Sequence, residues 1–188
     1  MNIGLYFGSF NPIHVGHLLV ATHIREAAQL DEIWFVVSPQ NPFKINTEMA
    51  NENHRLEMVK IAIKNVSFFS AVDIEFNLPK PSYTYITLQE LTNHFPENKF
   101  HLIIGEDNVA KFQEWKEAAW IQANFKTLIY NREKSNSQFS ILNSQFYSLP
   151  MFNISSTEIR LRIKNKQSIK YFVVENVEQF IEFHKLYY

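Results

Sequence analysis

Cysteine is absent from this sequence of 188 residues. The chain therefore forms no disulfide, has no thiolate nucleophile and offers no cysteine ligand to a metal ion. A chain without cysteine suits a reducing compartment. The amino-terminal residues, Met1 to Phe10, also lack the basic region and apolar run of a secretory signal. We therefore expect a cytoplasmic protein.

Long apolar runs and an excess of one charge are lacking too. No stretch approaches the ~20 apolar residues that span a bilayer, so we expect no membrane partner. The formal net charge is −1, which gives no general attraction to nucleic acid. Hydrophobic residues are 46% and charged residues 20% of the chain, as in globular proteins. Homo-oligomer formation stays open.

Glycine is scarce, with four residues where average usage would give about 13. Three of them, Gly8, Gly16 and Gly105, lie where a predicted strand ends or a predicted helix begins. Such placement predicts close backbone approach or a positive φ angle at these points. Ordinary turns are the alternative.

Strands and helices alternate along the chain. Short apolar runs predict strands at 3–7, 33–37, 68–76, 100–104 and 125–130. Helical spacing predicts helices at 17–29, after an amino-terminal cap at Asn53, around 88–95, and at 108–121, 154–164 and 176–184, with loops at 38–49 and 131–144. This order predicts an α/β fold of the Rossmann-like, doubly wound type. The sheet would be mostly parallel, with about five strands and helices on both faces. We expect a single domain over residues 1–188, with ligands beyond the carboxyl ends of the strands.

The segment from Gly8 to His17 follows the first predicted strand and begins the first helix. It reads Gly-Ser-Phe-Asn-Pro-Ile-His-Val-Gly-His. Helix amino termini bind anions through unpaired N–H groups, and His14 and His17 can point at one phosphate. Two imidazole donors would stabilise charge on a phosphoryl group in transit. Each histidine could instead be a structural polar residue, or the pair could share a metal, although no third protein ligand is near.

A second segment, from Ile154 to Arg160, reads Ile-Ser-Ser-Thr-Glu-Ile-Arg. Ser155 and Glu158 have the spacing of a capping box, which alone would make this an ordinary helix start. Ser156 and Arg160 are neighbours on a helix face and can meet one anion. The planar fork of Arg donors suits phosphate oxygens.

The two segments together resemble the G-x-F-D-P-x-H-x-G-H and I-S-S-T-x-I-R signatures of the nucleotidylyltransferase superfamily. They resemble in particular those of bacterial nicotinate-nucleotide adenylyltransferases, and the resemblance extends from Gly8 to about His184. Asn11 stands where Asp is commoner, which preserves the turn chemistry. Ile86 stands where the family usually has Asp, so a polar contact made by that Asp cannot be assumed here.

The resemblance implies transfer of the adenylyl group of ATP to nicotinate mononucleotide, in the biosynthesis of NAD. His14 and His17 would serve the transferring phosphoryl group. The implied ATP-binding residues are Gly8, Ser9, Phe10, Gly16, Gly105, Asp107, Ile154, Ser155, Ser156 and Arg160. The implied nicotinate-nucleotide contacts are Asn41, Lys44, Thr84 and Trp115. Mg²⁺ would be bound mainly through the ATP phosphates.

Simpler roles remain for two of the substrate residues, since Lys44 could be a surface lysine and Trp115 a core residue. Other activities also remain open. Phosphopantetheine adenylyltransferase belongs to the same superfamily, but its loop typically has Thr where His14 stands. A nucleotide sensor without catalytic activity could use the same fold. The absence of G-x-x-x-x-G-K-[ST] and G-x-G-x-x-G argues against P-loop kinases and dinucleotide redox enzymes.

Overall fold

A parallel sheet organises the chain. The computed structural model describes residues 1–40, 49–131, 141–149 and 153–188. Within them, six strands pair in the order β3-β2-β1-β4-β5-β6, and every pair is parallel. The strands are β1 (Asn2–Gly8), β2 (Glu32–Val37), β3 (Phe69–Val72), β4 (Lys99–Gly105), β5 (Lys126–Asn131) and β6 (Ser144–Ser148).

Helices cover both faces of this sheet. In the described ranges they are α1 (Val15–Ala27), α2 (Glu52–Ile63), α3 (Thr84–His94), α4 (Glu106–Val109), α5 (Ala118–Asn124), α6 (Ser156–Lys164) and α7 (Glu175–Phe183). Apolar residues of α1, α2, α6 and α7 pack on one face. Those of α3, α4 and α5 pack on the other, where Ile3 and Leu5 of β1 are fully buried. Both faces of β1 are therefore apolar, as a strand buried on both sides requires.

The predicted Rossmann-like α/β class is confirmed. The sheet has six strands among the described residues, where the sequence predicted about five. The additional strand, β6, pairs only with β5, so it lies at the edge of the sheet. Its sequence, Ser-Gln-Phe-Tyr-Ser, lacks the apolar run of a central strand, which explains why it was not predicted.

Three local predictions were wrong. The strand predicted at 68–76 ends at Val72, and Ile74–Asn77 forms a 3-10 turn that buries Glu75. The helix predicted at 108–121 is broken into α4, a 3-10 turn and α5. The break before α5 occurs because Glu117 adopts a left-handed conformation with φ 59°. The cap of α2 is Asn51 rather than Asn53, whose backbone N–H donates to the Asn51 side chain.

The strand order reverses between β1 and β4. The chain adds β2 and β3 on one side of β1, and then β4, β5 and β6 on the other. The turns that follow β1 and β4 diverge at this switch point. A crevice lies between them, where ligands of such sheets bind. No helix of the described ranges is long and apolar enough to cross a membrane.

Candidate active site

Two adjoining cavities open at the switch point. Cavity one has a volume of about 360 Å³ and cavity two of about 650 Å³. Cavity one is lined chiefly by the turn after β1 and the start of α6. Cavity two is lined chiefly by the end of β4, the start of α3 and the segment from Asp107 to Lys116. Residues that line both cavities are Tyr6, Phe7, Gly8, Ser9, Asp107 and Tyr130.

The shared wall has polar groups of three kinds. The Tyr6 and Tyr130 hydroxyls lie 3.1 Å apart in a buried hydrogen bond. Ser9 is half-buried, and the carboxylate of the exposed Asp107 occupies the space where a side chain on Gly105 would sit. Gly105 is therefore required by close approach, and none of the chain's glycines has a positive φ.

The turn after β1 folds back on itself. A Cβ added at Gly8 would lie 2.8 Å from the Phe10 ring, so glycine lets that ring pack beneath the turn. Phe10 is 2% exposed and has a positive φ of 44°. The turn thereby presents its backbone to cavity one while its large side chain joins the core.

His14 and His17 lie together on the wall of cavity one. Their rings stack with centroids 3.6 Å apart. The backbone N–H of His14 donates to Nδ1 of His17 at 3.2 Å. Because Nδ1 accepts this hydrogen bond, the neutral His17 ring carries its proton on Nε2 and can act there as a donor.

The start of α6 closes cavity one from the other side. The Ser155 hydroxyl accepts from the Glu158 backbone N–H at 3.1 Å, which confirms the predicted cap. The Ser156 hydroxyl donates to the Pro12 carbonyl at 2.9 Å. Arg160 donates from one terminal nitrogen to the Asn11 carbonyl at 2.8 Å. The two sequence motifs therefore contact each other directly.

Cavity two has an aromatic wall. Trp115 is half-buried and packs against the buried Phe112, with ring centroids 5.0 Å apart. Thr84 begins α3 beside it. The ammonium of Lys116 lies 4.7 Å from the centroid of the Tyr83 ring. A flat anionic ligand would meet an aromatic face and a nearby cation here.

The structure brings most of the predicted site residues to these cavities. Those lining cavity one are Gly8, Ser9, Phe10, His14, His17, Asp107, Ile154, Ser155, Ser156 and Arg160. Gly105, Thr84 and Trp115 line cavity two. Gly16 lines neither cavity, because it is buried behind the His14 ring, where a Cβ would lie 3.0 Å from Nδ1. Asn41 and Lys44 lie outside the described residues.

Glu75 is a site residue that the sequence analysis missed. It lines cavity two, is 1% exposed, and accepts a hydrogen bond from the Thr87 hydroxyl at 2.8 Å. Burial raises the pKa of Glu75, while the hydroxyl groups of Thr87, Ser38 and Ser82 act in the opposite direction. Its other carboxyl oxygen has no hydrogen-bond partner among the described residues. In the sequence, the only sign of this role is that Glu75 lies near the end of an apolar run that predicts a buried strand, and this sign is weak.

Arg55 and Tyr187 were also missed as contacts of the first motif. The Arg55 guanidinium, 1% exposed, donates to the Ser9 carbonyl at 2.6 Å. The Tyr187 hydroxyl donates to Oδ1 of Asn11 at 2.8 Å, and burial raises the pKa of this phenol. Both residues are distant from the motif in sequence, so only the tertiary structure reveals the contacts.

No group of three His, Asp or Glu side chains that could hold a metal ion occurs in the part of the chain that the structure describes. Asp107 is the acidic side chain that lines both cavities. Mg²⁺ is commonly bound by one or two carboxylates together with substrate phosphates and water. This donor set therefore fits a metal ion that arrives with a polyphosphate.

Comparisons with known proteins agree with this geometry. The family model described as Cytidylyltransferase-like matches residues 5–162. A protein of Cytophaga hutchinsonii named "Probable nicotinate-nucleotide adenylyltransferase" is 46% identical to this chain, covering 100% of this chain and 98% of its own. A protein of the same name from Bacteroides thetaiotaomicron is 40% identical over 96% of this chain and 91% of its own.

A solved structure shares the fold. It is the Plasmodium falciparum nicotinic acid mononucleotide adenylyltransferase complexed with NaAD, which superposes with a TM-score of 0.83 at 24% sequence identity. The superposition covers 99% of this chain and 97% of that chain.

Proposed function

Because this chain belongs to the nicotinate-nucleotide adenylyltransferases of the cytidylyltransferase-like family, we propose that it transfers the adenylyl group of ATP to nicotinate mononucleotide. The products are nicotinate adenine dinucleotide and pyrophosphate. One observation carries the proposal. Two cavities share a wall at the switch point, and the histidine pair lies in one while Trp115 lies in the other.

In the proposed reaction ATP occupies cavity one. The backbone of Gly8, Ser9 and Phe10 cradles its phosphates. The pyrophosphate that leaves is held by Arg160 and by the backbone N–H of Ser156 at the start of α6, since the Ser156 hydroxyl already donates to Pro12. Cavity two takes the nicotinate nucleotide, whose ring stacks on Trp115 beside Thr84. The two phosphates then meet at the shared wall, so the protein supplies proximity and orientation.

The 5′-phosphate oxygen of the nicotinate nucleotide attacks the α-phosphorus in line, and the bond to the β-phosphate oxygen breaks. No enzyme nucleophile is needed. His17, which carries its proton on Nε2, and His14 stabilise the charge that develops on the α-phosphoryl group. Mg²⁺ bound to the ATP phosphates would neutralise part of their charge, and Asp107 is the residue that would contribute a carboxylate to it.

We further propose that residues 1–188 form one functional domain, since the two adjoining cavities together draw on residues from Tyr6 to Arg160. A homo-oligomer is compatible with this arrangement, because each chain supplies a complete pair of cavities. No nucleic acid is required by the reaction.

An acceptor panel tests the proposal. The protein is incubated with ATP, Mg²⁺ and one acceptor at a time, and pyrophosphate release is measured. Nicotinate mononucleotide should give the highest kcat/KM, ahead of nicotinamide mononucleotide and phosphopantetheine. A preference for phosphopantetheine would favour the other adenylyltransferase activity. ATP binding without pyrophosphate release from any acceptor would favour a nucleotide sensor.

A further inference from the structure

Arg55 is a buried cation held entirely by backbone carbonyls. It lies in the first turn of α2 and is 1% exposed. Its Nε donates to Ala50 at 3.0 Å, and one terminal nitrogen donates to Ser9 at 2.6 Å and to Ser38 at 2.7 Å. The other terminal nitrogen donates to Pro39 at 3.0 Å. One planar group therefore joins the ends of β1 and β2 to the start of α2.

No carboxylate forms an ion pair with Arg55 among the described residues. Four carbonyl dipoles compensate the charge at hydrogen-bond distance, and the more distant Glu52 adds a favourable Coulombic interaction. A guanidinium has five N–H donors in a rigid plane, whereas a lysine ammonium has three donors at a single point. Four acceptors at these positions are therefore a set that Arg can satisfy and Lys cannot. A buried Arg with four hydrogen bonds fixes the positions of the groups that it contacts.

The bond to Ser9 has a consequence in cavity one. In a trans peptide the C=O and N–H groups point in opposite directions, and the peptide between Ser9 and Phe10 is trans. With the Ser9 carbonyl held toward Arg55, the Phe10 N–H points away from the buried side of the turn. Ser9 and Phe10 both line cavity one, and the Phe10 N–H has no partner in the described part of the chain.

We propose that Arg55 is a positioning residue for adenylyl transfer, which holds the Ser9–Phe10 peptide so that the Phe10 N–H donates to a phosphate of ATP. The identification of the acceptor as a phosphate of ATP rests on the proposed function. Arg55 does not touch the substrate, since its side chain is buried behind the turn. Arg55 acts by fixing the orientation of the Ser9–Phe10 peptide. The group that it positions is a backbone N–H, which the sequence of side chains does not reveal.

The same side chain also fixes the flanks of residues 41–48. Pro39 precedes that segment and Ala50 follows it, and both carbonyls accept from Arg55. Ser38, the third acceptor, lines cavity two. Loss of the Arg55 guanidinium should therefore disturb the geometry at the boundary of the two cavities more than it disturbs Trp115, to which Arg55 forms no hydrogen bond.

Amide NMR of the full chain tests the proposal with ATP alone, without nicotinate mononucleotide. ATP is added to the ¹⁵N-labelled wild type and to Arg55→Lys, and the Phe10 amide proton is followed. In the wild type this resonance should shift downfield as the N–H donates to phosphate. In Arg55→Lys the shift should be lost or strongly reduced. A wild-type Phe10 resonance that does not respond to bound ATP overturns the proposal without any variant.

Kinetics supply the second readout. A misplacement of about 1 Å at a reacting group costs ~100-fold, so kcat of Arg55→Lys should fall by roughly 10- to 100-fold, with a much smaller change in the KM for nicotinate mononucleotide. The matched control is Arg25→Lys. Arg25 also bonds a backbone carbonyl, that of Asp31, and packs over the Phe68 ring, away from both cavities. This control should keep wild-type kcat.

The outcomes separate the two proposals. Wild-type kcat and a wild-type Phe10 shift in folded Arg55→Lys would show that Arg55 is structural only, while the adenylyltransferase activity stands. An Arg55-dependent Phe10 shift in a protein that releases no pyrophosphate would support the positioning of the Phe10 N–H by Arg55 and refute the proposed activity. Equal kcat losses in Arg55→Lys and Arg25→Lys would mean general destabilisation and would contradict the proposal.

Discussion

His17 uses its two ring nitrogens for different purposes. Nδ1 accepts the His14 backbone N–H, which fixes the ring at the start of α1. The proton on Nε2 is then available to a phosphoryl oxygen in cavity one. The stacked His14 ring, 3% exposed, limits the ways in which His17 can move. This is preorganisation of a donor, which makes a hydrogen bond effective in a transition state.

Replacing His17 by Ala should lower kcat by ~100-fold or more, because one preorganised donor is typically worth that much. The KM values should change less. The matched control is His23→Ala, which removes a half-buried histidine from the same helix, away from both cavities. Steady-state kinetics and a thermal melt are needed together. A folded His17→Ala enzyme with near-normal kcat would contradict the assigned role.

Trp115 lies at the boundary between core and cavity, so its replacement has two expected effects. Trp115→Ala should raise the KM for nicotinate mononucleotide far more than that for ATP, because a stacking face is lost. It should also lower the melting temperature, since Trp115 packs on Phe112. Trp120→Ala is the control, because Trp120 packs on Phe125 and lines neither cavity. A lower melting temperature with an unchanged KM would make Trp115 a core residue only.

The buried carboxyl of Glu75 should make stability depend on pH. Burial raises its pKa above the ordinary value of 4.5. Between 4.5 and the raised pKa, the folded protein binds more protons than the unfolded chain. The free energy of unfolding therefore falls as pH rises through this window. The contribution is fully present below 4.5 and is lost above the raised pKa.

The variant Glu75→Gln isolates this effect, since Gln offers Thr87 an oxygen acceptor but does not titrate. The free energy of unfolding should be measured for both proteins across the pH range. We expect the wild type to lose stability relative to the variant as pH rises. Other titrating groups cancel in the difference. A difference that is constant with pH would show that the Glu75 pKa is not raised.

Among the elements, α6 has the most direct effect on the first motif. Ser156 and Arg160 bind the carbonyls of Pro12 and Asn11, so the helix both supports the turn and lines the cavity. Arg160 therefore has a structural contact that the sequence analysis did not anticipate. Its remaining N–H groups can still meet the leaving pyrophosphate, which gains charge as the bond to the α-phosphate breaks.

Arg160→Ala should lower kcat/KM for ATP by roughly 10- to 150-fold, as expected for loss of a charge-assisted hydrogen bond worth ~1.5–3 kcal/mol. Arg160→Lys should recover only part of this, because an ammonium cannot form the bidentate pair. Arg162→Ala is the control on the same helix, since Arg162 bonds the Ser168 carbonyl and packs over the Phe172 ring. Wild-type ATP kinetics in Arg160→Ala would refute the pyrophosphate role.

The elements also show what the sequence could and could not predict. The strand–turn–helix of the first motif and the cap of α6 were predictable, because short-range spacing determines them. The edge strand β6 was not, since its polar sequence becomes a strand only through pairing with β5. The break before α5 was missed for a similar reason. Helical composition at 108–121 does not reveal that Glu117 is left-handed.

The same limit applies to the site. His14, His17 and Arg160 stand in motifs that show their chemistry. Arg55 and Glu75 are charged residues that a sequence would assign to the surface. Their burial follows from long-range contacts, with Ser9 for Arg55 and with Thr87 for Glu75. Burial of a charged side chain is a property of the tertiary structure and leaves little trace in local sequence.

In the whole molecule, the doubly wound sheet brings distant segments to one edge. The turn after β1 would bind phosphate, β4 contributes Gly105, α4 contributes Asp107, and α6 closes cavity one. The two cavities adjoin at this edge, so two bound nucleotides would have their phosphates side by side. We propose that one nucleotide passes its adenylyl group directly to the other, without an intermediate on the protein.

The stereochemical course at the α-phosphorus tests this claim most directly. ATP made chiral by sulfur at the α-phosphate is incubated with nicotinate mononucleotide, and the configuration of the dinucleotide is determined. A single in-line displacement predicts inversion, with one pyrophosphate released per dinucleotide. Retention would reveal two displacements through a covalent enzyme intermediate, and the absence of a dinucleotide would refute the activity itself. Either result would contradict direct transfer between the two nucleotides.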